Sequence, residues 1–281
     1  MNSAPTTTTQ TEPALSGVPQ TLLIPLWARA EETLREDGIV HDPFAVRILD
    51  ELKQDRSLFN GGWKSQLGIA IRTWLLDREV SRYLAQHPGG TVVILGCGLD
   101  ARSSRLDNGL AQWINLDLPE VIGLRDRLMP SEERHRNHAA SVLDHDAWLG
   151  LVPVSPPPLF VAEGLFMYLP GDDLMTLMRA LADRYPGAEI LIESLSRRRA
   201  GLTHRHDLVS RFDAKFKWGI DSGRDFESWH PGIEFIDEWP YFDFQTARWH
   251  WLGLLRWFPF VRRAIKISRL RFRPRAEGPA S

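Results

Sequence analysis

Cysteine is nearly absent from this chain: Cys97 is the only one, which excludes an intrachain disulfide and a zinc site built on several thiolates. A basic excess is also missing. The formal net charge is −2, so the composition points away from nucleic acid, whose binders carry a surplus of Lys and Arg. No stretch reaches the roughly 18 to 20 uninterrupted apolar residues of a membrane span, and no internal repeat is visible. The opening "MNSAPTTTTQTEPALSGVPQ" lacks the basic start and apolar middle of a secretory signal. Residues 1–20 therefore read as a disordered tail, and a reducing cytoplasm is the expected location.

What is present suffices for one large α/β domain: 281 residues, 43% hydrophobic and 25% charged. Residues 21–281 read as a single domain. A helical segment runs to residue 90, a cofactor-binding core covers 91–195, a cover spans 196–230, and C-terminal strands with a helix fill 231–281. Two helical patterns flank the turn at Gly38, the second starting at Asp42-Pro43. Ile71, Leu75, Val80 and Leu84 predict a helix over about 69–86, and "HPGG" stops it. Strands at 91–95, 113–117 and about 137–141 then alternate with helices at about 99–107 and 119–129. The apolar "PLFVAEGLFMYL" predicts the next strand, followed by a helix over about 172–184 and a strand over 188–194. Such alternation implies right-handed βαβ units and a mostly parallel sheet with helices on both faces. "IEFIDEWPYFDF" resumes strand character, and "ISRLRFR" suggests a final antiparallel strand at a sheet edge.

The stretch "TVVILGCGLDARSSRLD" carries the first chemical signal. A β-branched run empties into Gly96-Cys97-Gly98, where Gly96 can turn tightly and Gly98 lets a ligand approach the main chain. Ala101 completes G-x-G-x-x-A, a pattern shared by nucleotide folds and by plain strand-to-helix turns. Asp117 ends the next strand, 21 residues after Gly96, where a carboxylate can accept from ribose hydroxyls. Asp100, in the first turn after the glycines, either serves as a plain helix cap or first-turn acid or would repel a pyrophosphate, which favours a ligand without phosphate such as S-adenosylmethionine. Asp144 stands where it either accepts from an adenine amino group or caps a helix. Glu163 ends an apolar strand, where a carboxylate is costly unless paired and where ligands of open α/β sheets gather.

Taken together, "LGCGLDARSSRL", "LDLPEVIGLR", "SVLDHDAW" and "VAEGLFMYLP", preceded by "AIRTWLLD", resemble the leucine carboxyl methyltransferase family. The likeness is greatest to its bacterial branch linked to polyketide O-methylation, whose N-terminal segment "TLLIPLWARAEET...GIVHDPFA" is similar. The resemblance spans about residues 21–275 and implies a Rossmann-like class I methyltransferase sheet binding S-adenosylmethionine. It implies that Arg72 grips the methionine carboxylate, that Gly96 and Gly98 face the methionine portion and that Asp117 holds the ribose. Leu118 would lie against the adenosine, Leu143 and Asp144 beside the adenine, and Glu163 near the ammonium, with Arg29 as a second cation.

The expected reaction is transfer of a methyl group to an oxygen of a small-molecule acceptor, a carboxylate or a phenol. Methyl transfer from a sulfonium neutralises charge, so positioning and exclusion of water can supply most of the catalysis. No catalytic side chain and no metal site is assigned. His204, His206 and His230 are candidate bases for a phenol; Met167 and Tyr168 are candidates for the acceptor pocket. Trp218, Trp229 and Trp239 are compatible with an aromatic wall. An oxidoreductase binding NAD(P) and a non-catalytic surface-binding module are the alternatives. The latter draws on the C-terminal "RWHWLGLLRWFPFVRRAIKISRLRFRPR", basic and aromatic enough for an anionic membrane surface, although a helix followed by a strand is the plainer reading.

Overall fold

The computed structural model describes residues 21–53, 59–201 and 215–273. Strands β1 (Thr91–Leu95), β2 (Gln112–Asp117), β3 (His135–Ala139), β4 (Leu159–Ala162), β5 (Glu189–Leu195), β6 (Ile233–Pro240) and β7 (Ile265–Phe272) form one sheet in the order β3-β2-β1-β4-β5-β7-β6. The first five run parallel; β7 is antiparallel to both β5 and β6. The last strand is thus antiparallel as expected, but it lies inside the sheet, and β6 takes the edge. Both faces of β7 are covered: Lys266, Ile267, Ser268, Leu270 and Phe272 are all buried.

Successive strand residues feed opposite faces, as the pleat requires. Val92 and Ile94 pack with Leu67, Ile71, Leu75, Val80 and Leu84 of α3 (Trp63–Gln86). Val93 and Leu95 pack with Leu174, Leu177 and Leu181 of α7 (Gly171–Arg184). Helix α3 begins six residues before its apolar periodicity does. Its opening sets exposed Trp63 and Lys64 before buried polar Ser65 and Gln66, Gln66 Nε2 donating to Glu32 Oε2 at 2.6 Å, so hydrophobic spacing could not reveal it.

Helices α1 (Leu23–Thr33) and α2 (Pro43–Glu51) form their own apolar cluster with Phe59 and Leu99 beside the glycine turn. Asp42 caps α2, its Oδ1 accepting from Ala45 N at 3.0 Å. The helix after the turn is shorter than predicted, α4 (Arg102–Leu106); α5 (Pro119–Leu128) starts on a proline. The strand expected across "PLFVAEGLFMYL" ends at Ala162, because Gly164 takes φ +63° and turns the chain into a short 3-10 segment, Phe166–Tyr168. β1 neighbours both β2 and β4, so the strand order reverses there. The crevice above their carboxyl ends is where an open α/β sheet holds its ligand.

Candidate active site

Gly96 and Gly98 adopt φ +66° and +48°, a region where other residues are strained. The N–H groups of Gly96 and Cys97 donate to Leu116 O at 2.8 and 3.0 Å, fastening the turn to β2. A Cβ on Gly96 would meet Leu165 Cδ1 at 2.9 Å. Gly98 N donates to Asp117 Oδ2 at 2.7 Å and Leu118 N to Asp117 Oδ1 at 2.8 Å. Each carboxylate oxygen accepts more than one hydrogen bond, so Asp117 is positioned by backbone while keeping capacity for a ligand. Burial holds its carboxyl above the usual aspartate range, against the pull of those two donors. Cys97 is buried, and that burial pushes its thiol up to about 12. It packs in the turn as an unreactive small side chain.

Behind the turn lies a continuous network of buried charges. Arg72 Nη2 pairs with Glu163 Oε1 at 2.7 Å and Nη1 with Glu193 Oε2 at 2.8 Å. Glu193, on β5, also accepts from Gly164 N at 2.7 Å and from the Tyr241 hydroxyl at 2.8 Å. Arg102 links Glu163, Asp100 and Asp77 at 2.6, 2.6 and 2.7 Å. Arg105 joins Asp77 to Asp42, and Arg29 ties Asp42 to Leu99 O of the glycine turn. Burial alone would raise the Asp100 carboxyl, but Arg102 and Arg105 outweigh it and hold it well below the usual range.

Asp100 therefore follows the capping alternative more than the repulsive one. Its charge is neutralised by Arg102, so bare repulsion of phosphate is a weak argument. Its Oδ1 instead occupies the N–H of Arg102 at 3.0 Å, filling the donor position at the start of α4 that an anion would use.

These groups border a cavity of about 740 Å³, within the roughly 300 to 1,000 Å³ of small-molecule sites. The polar part of its wall includes Arg29, Arg72, Gly96, Gly98, Asp100, Asp117 and Glu163. The segment before β7 gives an apolar part, Trp249, Leu252, Leu255, Phe260 and Val261, with Arg198 of the lining 4.8 Å from the Phe260 ring. Met167 and Tyr168 also line it; the Tyr168 ring lies 5.5 Å from that of Phe216, and burial pushes its hydroxyl up to about 12.

The model of the leucine carboxyl methyltransferase family matches residues 23–182, more than half of the chain. The chain belongs to that family. It is a methyltransferase that uses S-adenosylmethionine. The tetracenomycin polyketide synthesis O-methyltransferase TcmP of Streptomyces glaucescens is 34% identical over 265 residues, covering 92% of this chain and 98% of that protein. The S-adenosyl-L-methionine-dependent methyltransferase dpfgK of Gibberella zeae is 29% identical over 246 residues, covering 79% and 81%. Among solved structures, a candidate methyltransferase from Thermobifida fusca superposes with a TM-score of 0.55 at 18% identity, covering 88% of this chain and 94% of that one. A DUF574 family protein from Streptomyces avermitilis gives 0.56 at 11% identity, covering 89% and 97%. At these identities the two structures bear on the fold alone.

The residues of this family member fit such a cofactor on one unprompted observation. Arg72 Nε is buried with no hydrogen-bond partner among the described residues, although Arg72 stands on the cavity wall. A buried guanidinium donor without an acceptor is uncommon, and a ligand carboxylate would satisfy it. Leu118 is also on the wall, as are Ala140, Ser141 and Val142. Leu143 and Asp144 stand just beyond: Leu143 packs against the core, and Asp144 precedes α6 (His145–Trp148) without a side-chain cap bond.

No described histidine lines the cavity. His230 accepts from Gly232 N at 3.0 Å and faces Asp183, while His204 and His206 lie outside the described residues. Trp218 and Trp229 pack against Phe226 of the core, the first tilted and the second edge-on, and Trp239 sits under Arg78. Trp249 is the tryptophan that reaches the wall. Glu193, Tyr241, Arg102 and Asp77 escaped the sequence reading. Glu193 carried the signal that exposed Glu163, an acid inside an apolar strand.

Proposed function

We propose that the enzyme transfers a methyl group to an oxygen, carboxylate or phenol, of an apolar polyketide-like small molecule lodged against the Trp249–Val261 part of the cavity wall. The observation that carries this reading is one cavity whose wall joins charged side chains near the strand termini to the apolar side chains of residues 249–261. The name of the TcmP relative, an O-methyltransferase of polyketide synthesis, supports the same acceptor class.

In this reading Asp117 accepts from the ribose hydroxyls, Arg72 and Glu163 hold the carboxylate and ammonium of the methionine portion, and Gly96 and Gly98 allow close approach. Leu118 covers the adenosine from one side, with Leu143 and Asp144 at the adenine edge. The bound cofactor supplies an electrophilic methyl on a sulfonium. The protein's part is to align the acceptor oxygen and exclude water, for which the apolar wall is suited. Met167 and Tyr168 lie on the wall as candidate guides for the acceptor. A carboxylate acceptor is ionised at neutral pH and needs no base, whereas a phenol gains from one.

The test is a screen of aromatic acids and phenols with labelled methyl donor. Label in an ester or aryl ether is expected; transfer only to amines or thiols would overturn the oxygen assignment. Following the rate with pH separates the two acceptors. A carboxylate gives a flat profile from neutral pH upward, and a phenol gives a rate that climbs toward its own ionisation.

A further inference from the structure

We propose that the rim of the cavity mouth docks peripherally on an anionic lipid surface through residues 251–260. This segment is apolar on both sides. Leu252, Leu255 and Phe260 line the cavity, while Trp251, Leu254, Trp257, Phe258 and Phe260 are 66%, 69%, 75%, 52% and 55% exposed. Five large apolar side chains, each more than half in water within ten residues, form a patch of the kind that marks an interaction site.

Charge selects the occupant. From Phe244 to Arg273 the chain contains no acidic residue, and the preceding acid, Asp243, is held by Arg262 at 2.6 Å. Cations flank the exposed rings: the Arg256 guanidinium lies 5.3 Å from the Trp257 ring and Arg198 lies 4.8 Å from that of Phe260. Against the start of the segment, Lys64 sits 5.9 Å from Trp63, whose ring meets His250 edge-on. Arg263 is exposed as well.

Two copies meeting through this rim would bring like charges together, which disfavours self-association. Protruding Trp and Phe interleaved with Arg suit a headgroup boundary, where rings enter the acyl region and guanidiniums meet lipid phosphates without a preformed pocket. Among the described residues no helix is long and apolar enough to cross a membrane, so the contact is one of the surface. Its consequence is that the apolar part of the cavity opens toward lipid, a source of sparingly soluble acceptors.

The experiment is co-sedimentation of the full chain with vesicles of phosphatidylcholine alone and of phosphatidylcholine mixed with phosphatidylglycerol. Binding to the mixed vesicles is expected, weakened at least about tenfold in the Trp251→Ser/Trp257→Ser variant from lost apolar burial. Arg256→Gln/Arg263→Gln should lose about fivefold per cation and its preference for the anionic lipid. None of these four side chains lines the cavity, so S-adenosylhomocysteine affinity should stay at the parent level in both variants, which verifies their folding.

Failure of the parent chain to sediment with mixed vesicles would overturn the proposal. So would unchanged binding in both variants. A dimer in sedimentation velocity that the tryptophan variant dissociates, with no vesicle binding, would assign the patch to a second copy instead. None of these readouts depends on which acceptor is methylated.

Discussion

The two parts of the cavity wall are built by opposite means. The charged part rests on strand termini and on arginines that each bridge two or more carboxylates, so its side chains are held from several sides. The apolar part rests on a 3-10 segment, His250–Trp257, and a single turn of helix, Pro259–Arg262, with large side chains left in water. Buried ion pairs fix geometry at a high desolvation cost; a short apolar segment adapts at little cost. The first suits a constant cofactor and the second a variable acceptor.

The largest contrast should appear in stability. Arg102→Ala removes the cation that Asp77, Asp100 and Glu163 share, leaving the three carboxylates to Arg105 and Arg72 alone. It should cost about 3–5 kcal/mol in urea unfolding, whereas Trp257→Ser in the apolar segment should stay within about 0.5 kcal/mol. Equal effects would erase the distinction.

Cofactor affinity comes next. Asp117→Ala should weaken S-adenosylhomocysteine binding about 10- to 100-fold, the worth of one or two hydrogen bonds to a charged acceptor. Leu255→Ala should leave that affinity unchanged while raising the acceptor KM about tenfold, as loss of apolar contact in the other part predicts.

Acidity should separate the two parts more gently. Asp117 must be ionised to accept two hydroxyls, and burial raises its pKa. Cofactor affinity should therefore fall on acidification at a higher pH than an ordinary aspartate would set. Away from the cavity, Glu189 behaves oppositely. Burial opposes its ionisation, but Arg269, Arg271 and Arg82 outweigh that and lower its pKa from 4.5 to about 2. Its contribution to stability is complete above the unfolded value and is lost as pH falls through that window. A Glu189→Gln variant should accordingly show a flatter loss of stability between those pH values.

The same contrast explains what the sequence disclosed. Gly96, Gly98, Asp117 and Glu163 sit at fixed offsets from strand ends, and local spacing is enough to find them. The partners of Arg72 are not local: Glu193 is 121 positions away, and only packing of β5 beside β4 brings it to the site. Trp249 and Leu255 lie in a stretch that reads as a helix and folds instead around a 3-10 segment, so their spacing does not mark them as wall. The final strand was recognisable by alternation, but its insertion between β5 and β6 depends on pairing on both edges, which alternation does not encode. Asp100 was noticed for its charge, while its neutralisation by Arg102 two residues later required the fold.

Titration calorimetry with S-adenosylhomocysteine and with NAD(H), on the parent chain and on Asp117→Ala, tests the central claim most directly. The account predicts binding of S-adenosylhomocysteine by the parent, weakened about 10- to 100-fold by the substitution, and no heat from NAD(H). Tight NAD(H) binding with none for S-adenosylhomocysteine, or an affinity for the latter indifferent to Asp117, would contradict it.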